Sequence, residues 1–194
     1  MEFSYRFIVK LIDTAKIIDT GEISKIIDEI IKVKALNGRL FVLGVGGSAA
    51  NASHAVNDFR KLTNIKTYCP TDNVAEVTAK TNDEGWDTAF EEWLRVNKLT
   101  NDDAILILSV GGGDKEKNGS VNLIKAAEYA KKMDCKVLCI VGRRGGEVGK
   151  IADAKIQIPM LYEDLVTPIT ESLQSVVLHL IVSHPALAEN KTKW

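Results

Sequence analysis

The sequence predicts an α/β fold: a five-stranded parallel sheet with helices on both faces and two helices ahead of the first strand. Three observations carry this. Runs at 40–43, 104–110 and 136–141 are apolar nearly throughout, as in strands buried on both faces. Stretches with apolar residues at helical spacing alternate with them, the pattern of parallel β–α–β units. Glycine-rich turns close the first and third runs, at Gly44, Gly46 and Gly47 and at Gly111, Gly112 and Gly113.

The elements follow in order. Phe7, Ile8, Leu11, Ile12, Ala15 and Ile18 repeat at helical spacing, and after a break at Thr20-Gly21 so do Ile23, Ile26, Ile27, Ile30 and Ile31. So much isoleucine before the first strand needs a cover, either the chain's own sheet or a neighbouring subunit. The first strand, 40–43, runs through its glycines into a helix opening at Ser48. A second strand at 65–68 stops at Cys69-Pro70, and helices are expected at 74–79 and 86–96 around a polar loop, 81–85. The third strand, 104–110, leads through a loop at 111–119 to a helix at 120–132. Strand four spans 136–141, its turn 142–146, and the last strand 155–158. Thr167-Pro168 opens a final helix along which Leu173, Val176, Val177, Leu180 and Ile181 are apolar.

A length of 194 residues suits one domain, 1–194, of which 1–37 form the leading helices. The formal net charge of -1, with signs interspersed, offers no footprint for nucleic acid. No apolar run approaches the roughly 20 residues of a membrane span and no signal-peptide pattern opens the chain, so a cytoplasmic place without membrane contact is expected. Cys69, Cys135 and Cys139 are an odd set without C-x-x-C spacing and read as reduced thiols.

Chemistry concentrates after the first strand. A glycine turn at a helix start lets an anion approach unpaired N–H groups at the positive end of the helix dipole. Gly44-Val45-Gly46-Gly47-Ser48 is neither the dinucleotide fingerprint nor a P-loop, since Ala49 stands at the third small position, no acid ends the second strand, and no Gly-Lys-Ser/Thr occurs. A lone phosphate fits better than a nucleotide. His54 and Asp58, four apart, share one face of the same helix. The bland alternative for the glycines is strand–helix packing alone.

Gly46-Gly47-Ser48, the pair His54 and Asp58, Asn82-Asp83-x-Gly85, Ser109 ending strand three, Gly145-Gly146, and Glu171 with His179 together resemble the sugar isomerase (SIS) domain. Within it they are most similar to the phosphoheptose isomerases, over nearly the whole chain. The resemblance implies a flavodoxin-like three-layer sandwich and a homotetramer with active sites between subunits. It implies conversion of D-sedoheptulose 7-phosphate to D-glycero-D-manno-heptose 7-phosphate in bacterial heptose synthesis. It further implies one zinc ion at His54, Asp58, Glu171 and His179, with Asp58 and His179 as the catalytic pair. Substrate binding falls by the same resemblance to Gly46, Gly47, Ser48, Asn82 and Asp83, and to Ser109, Gly111 and Ser120. Some relatives only sense sugar phosphates, and one group binds the bacterial replication initiator; retention of four ionisable groups here argues for catalysis. The chain departs from the family where Asp58 replaces Glu, Glu171 replaces Gln, Val45 replaces Asn, and Ser109-Val110-Gly111 with a longer loop replaces Ser-Thr-Ser.

The reaction explains the residue types. Interconverting an aldose and a ketose moves a proton between neighbouring carbons through a cis-enediol, which needs proton carriers and stabilisation of the enediolate. A carboxylate and a histidine suit the first task, and a divalent metal on neighbouring sugar oxygens the second. Spacing raises one difficulty: the eight residues from Glu171 to His179 amount to about 12 Å of helix. Lys115 and Lys117 in the longer loop are candidates to cover a bound phosphate.

Overall fold

The computed structural model of the chain describes residues 2–191; Met1 and residues 192–194 of the expected 1–194 unit lie outside them. Five strands, β1 (Arg39–Gly44), β2 (Lys66–Tyr68), β3 (Ala104–Ser109), β4 (Lys136–Val141) and β5 (Ala154–Gln157), form one parallel sheet in the order β2-β1-β3-β4-β5. This is the flavodoxin-like order. The chain steps outward from β1 to β2 and then crosses back to β3, so the strand order reverses between β1 and β3. Loops leaving the carboxyl ends of those two strands diverge to opposite faces and open a crevice there.

Alternation along each strand divides the core in two. Leu40 and Val42 of β1 face α2 (Thr20–Ala35), α3 (Gly47–Thr63) and α8 (Val166–Val182), while Phe41 and Leu43 face α5 (Ala89–Val96) and α6 (Val121–Lys132). The isoleucine stripe is answered within the chain: Ile23, Ile26, Ile27 and Ile30 of α2 are buried in the first of these clusters. No second subunit is needed to cover them. α1 (Phe3–Lys16) leaves an apolar side uncovered: Phe3, Tyr5, Ile8 and Ile12 stand in solvent and only Thr14 is buried. Val176 and Leu180 of α8 are exposed as well.

Several boundaries differ from the sequence reading for identifiable reasons. Residues 81–84 are not loop but the last turn of α4 (Val74–Glu84), which Asn73 opens by accepting from the Glu76 N–H at 3.3 Å and Gly85 ends at φ +87°. Because α4 buries no side chain, it carries no apolar periodicity to extend beyond Ala79. α5 begins at Ala89, leaving Trp86 outside it, and the expected turn after β4 passes directly into α7 (Gly146–Ile151). The stretch Glu163–Val182 is long and apolar enough to cross a membrane by length and composition, but half of it is buried against the chain's own core.

The amino ends of β1 and β3 are tied together by Arg39 and Asp103, with Nε to Oδ1 at 3.0 Å and Nη2 to Oδ2 at 2.7 Å. Burial pushes the Asp103 carboxyl up, but the Arg39 guanidinium and the Thr100 N–H and hydroxyl together outweigh it and hold the group below its ordinary range. The three cysteines are free and buried.

Candidate active site

At the carboxyl end of β1 the chain turns sharply. A Cβ at Gly44 would sit 2.4 Å from the Ser48 carbonyl oxygen, and Gly46 adopts φ +62°, so α3 can start this close to the strand only through glycine. A carboxylate of the chain itself shares this turn. The carboxylate of Glu171, from α8, lies against Gly47, where a Cβ would come within 2.5–2.7 Å of its atoms. Ser48 is buried and its hydroxyl donates to Gln174 Oε1 at 3.1 Å. The turn thus serves the α3–α8 contact, and an acidic side chain of the chain itself stands at the positive end of α3.

Farther along the same two helices three donors converge. His54 Nε2 is 3.2 Å from Asp58 Oδ2, His179 Nε2 is 3.5 Å from the same oxygen, and the two imidazole nitrogens are 3.5 Å apart. A tetrahedral ion with bonds of about 2.0–2.1 Å sets its ligand atoms about 3.3–3.5 Å apart. The triangle matches one face of that tetrahedron, and two imidazoles with a carboxylate are a zinc donor set, so these residues fit the metal. Asp58 is largely covered, and its other oxygen accepts from Asn57 Nδ2 at 3.0 Å. The imidazoles remain open, with side chains 55% and 54% exposed. Glu171 is not part of this cluster, as its two-turn distance from His179 requires. The hollow at the trio measures only about 10 Å³, so within one chain it is an open face and not a pocket.

A roomier space lies at the carboxyl end of β3. A cavity of about 380 Å³ is bordered by Gly111, Lys117, Ser120, Arg143 and Thr167. Ser120 precedes α6 in a left-handed conformation, φ +50°, and its hydroxyl makes no cap, while the Leu123 N–H is taken by Asn122 Oδ1 at 2.9 Å and by the Ser120 carbonyl at 3.1 Å. In the same turn Asn122 is buried, and its Nδ2 has no hydrogen-bond partner among the described residues, while its Oδ1 accepts that bond from the Leu123 N–H. Ser109 and Gly112 are committed to one another, the Gly112 N–H donating to Ser109 Oγ at 3.0 Å, and Gly112 packs so closely on the Gly145 carbonyl that no Cβ would fit. Of the three loop glycines, Gly111 alone has open space where a side chain would be. The Arg143 guanidinium borders the cavity and has no bonded partner among the described residues.

Other expected participants stand elsewhere. Asn82 and Asp83 are exposed on the last turn of α4 and bonded to each other, Nδ2 to Oδ1 at 2.8 Å. Lys115 is engaged by Glu128 at 2.6 Å, while Lys117 stays at the cavity rim. Gln174 and Asn51 escaped the sequence reading. A Gln inside the apolar stripe of α8 was the available signal, because a buried polar residue in such a stripe requires partners.

Comparison with known proteins bears on this arrangement. Residues 5–142 match the family described as the SIS domain. The chain belongs to the SIS domain family. Among curated relatives, the "Probable phosphoheptose isomerase" of Thermoplasma volcanium is 32% identical over 171 residues, 86% of this chain and 82% of that protein. The lincomycin biosynthesis protein LmbN of Streptomyces lincolnensis is 36% identical over 76% of this chain, which spans only 56% of that protein. Among solved structures, phosphoheptose isomerase GmhA from Neisseria gonorrhoeae superposes with a TM-score of 0.80 at 21% identity, covering 92% of this chain and 94% of that one, a likeness of SIS fold.

Proposed function

We propose that this SIS protein is an aldose–ketose isomerase that converts D-sedoheptulose 7-phosphate to D-glycero-D-manno-heptose 7-phosphate in the cytoplasm, with one zinc ion per site. The names of the SIS relatives support the substrate class. The observation that carries the chemistry is the triangle of His54, Asp58 and His179, with edges of 3.2, 3.5 and 3.5 Å.

A divalent ion at this triangle, when bound, supplies Lewis acidity to the carbonyl and its neighbouring hydroxyl oxygen. The chain's residues do the rest. Asp58 and His179 would share the proton movements, one at the carbon-bound hydrogen and the other between the two oxygens. With His179 Nε2 and Asp58 Oδ2 turned to the ion, the protons would pass through His179 Nδ1 and through Asp58 Oδ1, which Asn57 holds in place. His54 completes the donor set. Glu171, close to Gly47, lies between the metal end and the phosphate end of α8 and offers a carboxylate to sugar hydroxyls. The phosphate belongs in the cavity at Ser120, Gly111 and Arg143, where the uncapped Ser120 hydroxyl and the Arg143 guanidinium can donate to an anion.

The two ends argue for assembly. Thr167, at the phosphate cavity, and His179 are twelve residues apart on α8, about 18 Å of rise and farther than an extended seven-carbon chain reaches. A substrate phosphate held by one chain therefore meets the metal triangle of another. Together with the uncovered apolar side of α1, this supports a homotetramer in which residues 1–37 help form the interfaces and sites are completed between subunits. Elemental analysis of the purified protein, with an NMR turnover assay on sedoheptulose 7-phosphate, tests the proposal. Metal-dependent appearance of the heptose phosphate is expected. Binding of the sugar phosphate without turnover would make the protein a sensor instead.

A further inference from the structure

We infer that Gln174 is a positioning residue that sets the distance between the two halves of the metal triangle, an inference that rests on the metal reading above. Gln174 is wholly buried on α8 where that helix meets α3. Its Oε1 accepts from Ser48 Oγ and from Asn51 Nδ2, each at 3.1 Å, and its Nε2 faces the Ile140 carbonyl of β4 at 3.4 Å. Asn51 Nδ2 donates also to the Glu171 carbonyl at 2.9 Å. That bond settles the amide orientations: the Asn51 atom is a donor, so the Gln174 atom beside it must be the acceptor, and Nε2 is left for Ile140. One side chain thus joins α3, α8 and the sheet.

The rest of the α3–α8 seam comes from the apolar cluster, Ala52, Ala55 and Val56 on one helix and Leu173, Val177 and Leu178 on the other. Apolar contact is non-directional and resists sliding of one helix along the other only weakly. Hydrogen bonds are directional and, when buried, costly to leave unmade. The amide of Gln174 therefore supplies the register that the surrounding methyl groups cannot. Ser48 and Asn51 lie one to three turns before His54 and Asp58 on α3, and Gln174 lies five residues before His179 on α8. Each helix carries the register set at Gln174 along to its own donor, so the 3.5 Å separation of the imidazoles depends on it.

Cobalt(II) is the probe: its affinity by calorimetry and its visible absorption by titration, on wild type, Gln174→Leu and the control Val33→Ala. Val33 is buried in the same cluster but on α2, away from the seam. Gln174→Leu should bind cobalt several-fold more weakly, with an altered absorption band, the about 10–100-fold loss typical of residues bonded directly to a ligand being an upper bound for one that acts through helix register. Val33→Ala, with a comparable loss in thermal midpoint, should match wild type in both readouts. If Gln174→Leu does not fold, Asn51→Ala, which removes one bond to Gln174 and one to Glu171, should weaken cobalt binding several-fold. Wild-type affinity and spectrum in the folded Gln174→Leu or Asn51→Ala chain overturn this inference alone. A wild-type chain that takes up no cobalt overturns the metal reading and this inference with it.

Discussion

His54 and His179, 125 residues apart in sequence, bring their Nε2 atoms within 3.5 Å and pack their rings edge to face with centroids 5.0 Å apart. With Asp58 Oδ2 beside both, three atoms able to accept a cation point at one place. His54→Ala should lose metal and turnover together, metal affinity falling about 100-fold or more, beyond the 10–100-fold typical of a supporting residue. Asp58→Asn should keep its fold and lose most turnover, since an amide takes no proton at neutral pH. Wild-type turnover in Asp58→Asn, by the NMR assay, would remove Asp58 from both roles.

Gly47 is a second test of the site's geometry. A methyl group there must displace the Glu171 carboxylate, which would otherwise stand 2.5–2.7 Å away. Because those atoms are the end of a flexible side chain, Gly47→Ala should leave the thermal midpoint nearly unchanged while turnover falls, the carboxylate having been pushed aside. Glu171→Ala alone should lower turnover to a similar degree, and the double variant should lose little more than either single one, as expected for groups in contact. Strict additivity of the two losses in turnover would place Glu171 elsewhere.

For the phosphate cavity, Ser120→Ala and Arg143→Ala should each raise KM more than they lower kcat, because they remove binding common to substrate and transition state. The Arg143→Ala effect should shrink as salt rises, in proportion to the charge attraction removed. Lys115→Ala should change little, its ammonium being held by Glu128 at 2.6 Å. A large KM effect at Lys115 with none at Arg143 would move the anion to the outer loop.

Stability should depend on Asp103 at acid pH. Its folded-state pKa lies below the ordinary value of 3.8, so its contribution is fully present above that value and is lost as pH falls through the lower folded one. Asp103→Asn should cost about 2–3 kcal/mol at neutral pH, less than the 3–5 of a fully buried pair because Arg39 is partly exposed. Denaturant melts from neutral pH down to about pH 2 should show the mutant losing less stability on acidification than wild type. Parallel acid profiles would show that the Arg39–Asp103 clasp contributes no net stability.

Assembly is tested on α1. Ile8→Lys with Ile12→Lys places two charges on its uncovered apolar side and touches no residue of the metal triangle. Light scattering should find wild type at four times the chain mass and the double variant smaller, with turnover falling in step if sites are completed between subunits. A monomeric wild type at micromolar concentration would contradict the assembly proposal.

Local pattern was legible from residues alone wherever spacing speaks directly. Apolar runs marked the strands, helical spacing marked α2, α3 and α8, and the four-residue step from His54 to Asp58 placed both on one face. α4 was misread beyond Ala79 because it buries nothing, and the isoleucine stripe could not say which surface would cover it.

The sequence by itself determined the parallel sheet, its glycine turns and the shared helix face of His54 and Asp58, since each depends on residues within a few turns or one strand of each other. Only the tertiary structure gives the distances: His179 comes within 3.5 Å of His54 and Asp58 while Glu171 stands at Gly47, and Gln174 bonds to Ser48 and Asn51 across the α3–α8 contact. Backbone periodicity fixes which face of a helix a side chain occupies. Which residue 120 or more positions away it meets is set by how two helices settle against a common sheet.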